Sequence, residues 1–198
     1  MYEPLEQLSA ALSRLPGIGK RSAEKMSLRL ARDTTGLVPE LIKALSEVNA
    51  KVGACSKCGH VTLREEDPCR LCTNPRRDNR VLCVVEDPGD ILIIERSGEF
   101  HGRYHALMGK ISPMKGEGIQ KLRIEALLQR IQQEGVEEVI LALNSDVESD
   151  ATASFLAHAL SALPVRISRL AFGIPAGSEI SYSDPVTLSR ALQGRQPV

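Results

Sequence analysis

Val139-Ile140-Leu141-Ala142-Leu143-Asn144-Ser145-Asp146-Val147-Glu148-Ser149-Asp150 is the stretch on which the fold of this chain turns. Its opening apolar run lacks the alternation of a strand with one wet face, so it reads as a strand buried on both sides. It passes into an acidic loop and then a helix that turns Leu156, Ala159, Leu160 and Leu163 inward. Upstream, Val81-Leu82-Cys83-Val84-Val85 has the same character and ends in Glu86-Asp87-Pro88-Gly89. Between the two runs come a helix or turn over 90–96, a glycine-punctuated segment through Gly102, Gly109, Gly116 and Gly118, and a helix. That helix carries Ile124, Leu127, Leu128 and Ile131 on one stripe and stops at Gly135. Strands alternating with helices predict a parallel α/β sheet.

In such a sheet, ligands gather beyond the carboxyl ends of the strands, where Glu86, Asp146, Glu148 and Asp150 point. Clustered carboxylates repel one another unless a cation intervenes, and an all-oxygen donor set suits Mg²⁺. The same residues also read as ordinary ones, with Asp150 capping a helix that begins at Ala151 and Asp146 and Glu148 in water. Spacing alone does not choose between these readings. Further on, 165–172 reads as another strand, and Asp184-Pro185 opens a short last helix carrying Leu188 and Leu192.

Upstream of the sheet, Cys55-x2-Cys58 and Cys69-x2-Cys72 present two pairs of thiols at the spacing with which short turns offer four sulfurs to one tetrahedral ion. Zinc is the expected ion. Iron in the same cage and a pair of disulfides are the alternatives, and His60 reads as a loop residue outside a shell that four cysteines complete. No apolar leader follows Met1, no run is long enough to span a membrane, and a fifth cysteine, Cys83, lies unpaired in an apolar segment. These features point to a reducing, cytoplasmic compartment, which favours a metal over disulfides. Pro75-Arg76-Arg77-Asp78-Asn79-Arg80 then reads as a short basic linker.

The first forty residues read as helices. Leu5, Leu8, Leu12 and Leu15 recur at helical spacing up to Pro16, and Leu37, Leu41, Leu45, Val48 and Val52 trace a third helix begun near Pro39, whose stripe is expected to be core. Between them, Leu15-Pro16-Gly17-Ile18-Gly19 forms a turn that leaves backbone N–H groups uncovered at the start of the next helix, a cradle for a phosphate oxygen. Lys20, Arg21 and Lys25 follow and would neutralise neighbouring phosphates without reading bases. The other reading is a plain interhelical turn with a solvated basic face.

Composition narrows the function further. With no tryptophan and three each of Tyr and Phe, the core is aliphatic and base-stacking platforms are few. The net charge of zero hides an asymmetry, because residues 1–80 carry 14 Lys/Arg against 10 Asp/Glu and residues 81–198 carry 11 against 15. A basic half is a handle for nucleic acid.

LPGIG (15–19) with Arg21-Ser22-Ala23, the four cysteines followed by PRRDNR (75–80), VVEDPGD (84–90), GRYHALMGKISPMKG (102–116), ATA (151–153) and RLAFGIPAGSEISYSDPVTLSRAL (169–192) come in an order that resembles the RecR-type bacterial recombination mediators from end to end. The resemblance implies a helix-hairpin-helix region over 1–53, a four-cysteine zinc finger over 54–75, an α/β Toprim domain over 79–173 and an oligomerisation tail over 174–198. It implies a non-catalytic DNA-repair protein. Family members assemble into ring-shaped tetramers that clamp DNA. They work with RecO, and in many bacteria RecF, to help the RecA recombinase replace single-strand-binding protein at gaps. The family's DNA-contacting positions fall on Arg21 and Lys25, with Lys20 an added charge.

One block departs from the family. Toprim enzymes resemble Asp-x-Asp-x-Glu-Gly-Glu where this chain has Asn144-Ser145-Asp146-Val147-Glu148-Ser149-Asp150, so Asp146 restores one enzyme-like acid while Asn144 stands in place of another. The expectation is weak Mg²⁺ binding without turnover. The competing class is a Mg²⁺-dependent Toprim enzyme, a nuclease or topoisomerase, but Tyr2, Tyr104 and Tyr182 lack the large additional domain that sets a nucleophilic tyrosine, and His105 within RYHAL reads as a strand residue.

Overall fold

The computed structural model describes residues 2–112, 120 and 122–195. Gly116, Gly118 and the end of the GRYHALMGKISPMKG block lie outside them. The chain divides into two compact units, Met1–Val52 and Gly53–Val198.

The first unit holds α1 (Glu3–Leu12), α2 (Lys20–Ala31) and α3 (Leu37–Lys51). Pro4 sits in the first turn of α1, where its missing N–H removes no hydrogen bond. The helix stops at Leu12, short of the expected Pro16, and Leu15 is 50% exposed in the turn. Proline disfavours helical backbone at the residue before it, which ends the pattern early. The buried residues of α1 and α2 are Ser9, Ala23 and Ser27, all small, and the Ser27 hydroxyl is absorbed by the Ala23 carbonyl at 2.9 Å. Before α3, Asp33 accepts the Thr35 and Val38 N–H groups at 3.0 and 3.1 Å, and Gly36 takes a left-handed conformation at φ 84°. The α3 stripe is not core: no residue of α3 is buried, and Leu45 is 67% exposed. Helical periodicity shows that one face is apolar, but not that the same chain covers it.

In the second unit, β3 (Asp78–Val85), β4 (Gly102–Ala106), β5 (Glu138–Ala142) and β6 (Arg166–Arg169) form a fully parallel sheet in the order β4-β3-β5-β6. The helices α5 (Pro88–Ser97), α6 (Ile124–Glu134) and α7 (Val147–Leu160) connect the strands, and α8 (Pro185–Gln193) follows β6. Alternate side chains of β3 serve opposite faces. Leu82 and Val84 join Leu127, Ile131, Val139, Leu141, Leu156 and Leu160 in one core, and Cys83 and Val85 join Ile91, Tyr104 and Ala106 in another.

Three boundaries differ from the sequence reading. β3 starts at Asp78, paired with Gly102, which takes Asp78-Asn79-Arg80 out of the linker. α5 starts at Pro88 because Asp87 and Asp90 form a reciprocal capping box. β6 spans only 166–169 because β5, its one partner among the described residues, ends at Ala142.

The cysteine-bearing segment contains the paired strands β1 (Val52–Ala54) and β2 (Val61–Leu63) and the short helix α4 (Arg70–Thr73). It is bound to the sheet. The Ala106 N–H donates to the Cys58 carbonyl at 2.7 Å, Arg123 Nη2 donates to the Ser56 carbonyl at 2.7 Å, and Lys57 pairs with Glu134 at 2.9 Å.

Candidate metal centre and nucleic-acid interface

Each cysteine pair sits on its own turn. In the first, the Cys55 N–H donates to His60 O at 2.7 Å and the Gly59 N–H to Cys55 O at 2.9 Å, closing a loop that needs the left-handed backbone of Gly59 (φ 81°). A Cβ on Gly59 would also lie 3.2 Å from that of Ala106, so glycine permits the docking on β4. In the second, Cys69 caps α4 and Cys72 lies within it. All four Sγ atoms lie within 4.8 Å of one another and all four residues are buried.

The separations fit one tetrahedral ion. Cys58 and Cys69 are 3.5 Å apart and Cys55 and Cys72 are 4.0 Å apart, against an edge of about 3.8 Å for sulfurs about 2.3 Å from a central zinc. No pair is at the roughly 2.05 Å of a disulfide, and the five cysteines are free thiols. Backbone N–H groups of His60 and Cys69 point at Cys58 and Cys55 Sγ at 3.4 and 3.3 Å, which orients the sulfurs and supports thiolate charge. Hydrogen bonds from Cys58 and Cys72 hold the Cys69 thiol far below its ordinary range, and the bond to Cys69 pushes Cys58 far above it. Cys72 is pushed up to about 12, so without an ion the buried cluster holds its charge on one sulfur, Cys69, with thiols beside it. His60 contributes its backbone, and the group of four sulfurs placed to hold an ion does not include its ring.

The basic turn lies in the helical unit. Gly17 is left-handed at φ 77°, the Ile18 N–H reaches back to Leu15 O at 3.1 Å, and Ile18 is half-buried as the plug of the turn. Gly19 is the N-cap of α2 and supplies no side-chain acceptor, and the first turn of α2 holds no acid. The leading N–H groups of a helix have no acceptor within it, and its dipole favours an anion there. Lys20, Arg21 and Lys25 are all exposed on this end of α2. Two of the three linker arginines are engaged within their own unit. Arg77 pairs with Glu95, donates to Gly102 O at 2.8 Å and lies over the Tyr104 ring, and Arg80 is bound to Asp78.

The acidic residues disperse onto different partners. Glu86 is buried and accepts both the backbone N–H and the side-chain amide of Asn144, at 3.1 and 2.7 Å, tying the end of β3 to that of β5. The cap of α7 is Asp146, not Asp150. Its Oδ1 accepts the Ser149 N–H and hydroxyl, its Oδ2 accepts Lys110 Nζ at 2.6 Å, and the hydrogen bond from Lys110 brings its pKa down to about 2. Glu148 takes Lys110 at 3.5 Å and the Ser112 hydroxyl. Asp150 is bridged by Arg169 at 2.7 Å and Arg190 at 3.0 Å, and both guanidinium groups stack on Phe172. Among the described residues, the four cysteines are the one group of such ligands placed to share an ion.

Lys110, Asn144, Arg169, Arg190 and Arg123 were not legible as partners of these sites. Each acts across a large gap in sequence, and no periodicity carries that signal.

Comparison with known proteins matches three family models, a RecR helix-hairpin-helix over 5–49, a Toprim domain over 80–171 and a RecR C-terminal region over 173–196. Relatives named Recombination protein RecR align over nearly their whole length. That of Anaeromyxobacter sp. (strain Fw109-5) is 44% identical over 98% of this chain and 97% of its own. That of Gloeobacter violaceus is 43% identical over 100% of both, and that of Synechococcus sp. (strain CC9605) is 46% identical over 98% of this chain and 100% of its own.

Proposed function

Because the chain belongs to the RecR family of recombination proteins, we propose that it is a non-catalytic DNA clamp and recombination mediator. In this reading it acts with RecO, and with RecF where that protein is present, to promote RecA loading at single-strand gaps in the cytoplasm. The observation that carries the DNA-binding part is the uncapped start of α2, with no acid in its first turn and Lys20, Arg21 and Lys25 exposed around it. Contacts of this kind go to phosphates, so binding is independent of base sequence.

The domain arrangement follows the same reading: a hairpin region over 1–53, a zinc finger over 54–75, a Toprim domain over 79–173 and a tail over 174–198. Zinc is the metal of the cysteine site. Four thiolates leave no position open for water or substrate, so the ion would hold the fold together and supply no catalytic chemistry. The exposed apolar face of α3, including Ile42, Leu45 and Val48, supports assembly with further copies of the chain into a tetrameric ring. No helix among the described residues is long and apolar enough to cross a membrane.

The Toprim enzyme class has little to work with here. Tyr104 and His105 are buried, Tyr2 and Tyr182 are more than 80% exposed, and the acids are engaged by the chain's own cations and amides.

The test is binding of full-length, zinc-loaded protein to DNA across a salt series. The Lys20→Ala/Arg21→Ala/Lys25→Ala variant is expected to lower affinity uniformly across sequences and to reduce the slope of log K against log salt by about 2–3, at about 0.7–0.9 per phosphate contact. An unchanged slope would remove the hairpin from the interface.

A further inference from the structure

We propose that Lys110 is a tethered cation that takes the place of a divalent metal at the acidic loop, so that the loop is ordered and charge-balanced without Mg²⁺. Its Nζ lies 2.6 Å from Asp146 Oδ2 and 3.5 Å from Glu148 Oε2, between the two carboxylates that would otherwise repel each other. The ammonium is one part of a longer seam. The Ile111 N–H donates to Thr152 Oγ1 at 2.9 Å, Thr152 in turn donates to the Glu148 carbonyl at 2.8 Å, and the Ser112 hydroxyl donates to Glu148 Oε1. Three consecutive residues, 110–112, are thereby bound to the first turns of α7. The segment is also fixed where it leaves β4, since the Gly109 N–H donates to Glu86 O at 2.9 Å.

The remaining donor atoms of the loop are committed too. Asp146 Oδ1 caps α7, Glu86 holds Asn144, and Asp150 holds Arg169 and Arg190. Mg²⁺ demands near-octahedral oxygen ligands at about 2.0–2.1 Å and gives up water reluctantly. To enter between Asp146 and Glu148 it would have to expel an ammonium that the chain holds at high effective concentration and that needs no dehydration of a divalent ion. The residues present therefore do not fit the metal that the enzyme-like acids suggest.

The experiment uses full-length, zinc-loaded protein in Mg²⁺-free buffer without chelator, which would strip the cysteine site. Amide hydrogen exchange at Ser149 and Asp150 is followed with and without millimolar Mg²⁺. Wild-type protection is expected to be unchanged by Mg²⁺. The Lys110→Met variant is expected to lose protection by about two- to fivefold, the range of a partly exposed ion pair, and to regain it when Mg²⁺ is added. The Asp146→Asn variant keeps an acceptor at the cap and tests the pair from its other side, with protection lowered and not restored by Mg²⁺. A wild-type response to Mg²⁺, an unaffected Lys110→Met variant, a Lys110→Met variant that Mg²⁺ does not rescue, or rescue of Asp146→Asn would each overturn the proposal.

Discussion

The helical unit and the sheet unit treat their apolar residues in opposite ways. In the sheet unit, the stripe of α6 and the runs of β3 and β5 meet one another, so that Leu82, Val84, Leu127, Val139 and Leu156 are fully enclosed. In the helical unit, α1 and α2 bury only Ser9, Ala23 and Ser27, and α3 leaves Ile42, Leu45 and Val48 more than half exposed. Both units carry well-formed amphipathic patterns. The difference teaches that such a pattern states which face seeks cover, while the supply of facing elements decides whether the same chain provides it.

The contrast breaks most visibly at the cysteine site, which is joined to the sheet by the Ala106–Cys58 and Arg123–Ser56 hydrogen bonds. Structural zinc contributes about 10–16 kcal/mol in small zinc domains, as much as the whole stability of a typical domain at about 5–15 kcal/mol. Cys58→Ser, or removal of the metal by chelation, is expected to abolish the cooperative thermal transition of the sheet unit and to lower zinc content below one per chain. Circular dichroism with metal analysis checks this, and a retained transition would show that the sheet stands without the metal.

A smaller effect comes from the interior itself. His105 is fully enclosed on β4, where its Nε2–H donates to the Arg123 carbonyl at 2.9 Å. Burial is the main cause that pulls its pKa down to about 4. The charges of Arg123 and Arg130 add to the fall, while the Arg123 carbonyl and Glu134 oppose it. The unfolded chain therefore binds the proton more readily. The contribution is fully present above about pH 6.5, is lost as pH falls from about 6.5 to about 4, and totals about 3 kcal/mol. Urea unfolding across this range should show the acid-side slope in wild type and its loss in His105→Gln; equal slopes would mean that the imidazole is not held neutral.

The smallest expected change in folding stability lies on α3. Leu45→Glu replaces a residue that is 67% exposed, so the stability of the single chain should move by no more than about 0.5 kcal/mol. If copies meet through this face as proposed, the mass in solution should nevertheless fall. Light scattering decides the matter, and an unchanged mass would mean that the α3 face is not a contact between copies.

Much of this protein was legible in its residues because the physics there is local. Consecutive apolar residues marked β3 and β5, a stripe at helical spacing marked α6, Asp184-Pro185 marked the start of α8, and two Cys-x2-Cys pairs marked a buried cluster of four sulfurs. Gly17 and Gly19 marked the turn before α2 for the same reason, since a tight turn states its requirements within a few residues.

The assignments that failed depend on distance through space. Sequence offered Asp150 as one reading of the α7 cap and kept α3 in the core. Folding placed Asp146 at the cap, brought Lys110 to it from 36 residues away in sequence, and set Arg169 and Arg190 against Asp150. By itself the sequence determined the strands, the helices and the grouping of the four cysteines, because periodicity and short spacing act along the chain. Only the tertiary structure decided which charge neutralises which and which apolar face stays uncovered, because long charged side chains and helix faces find their partners only once distant segments have been brought together.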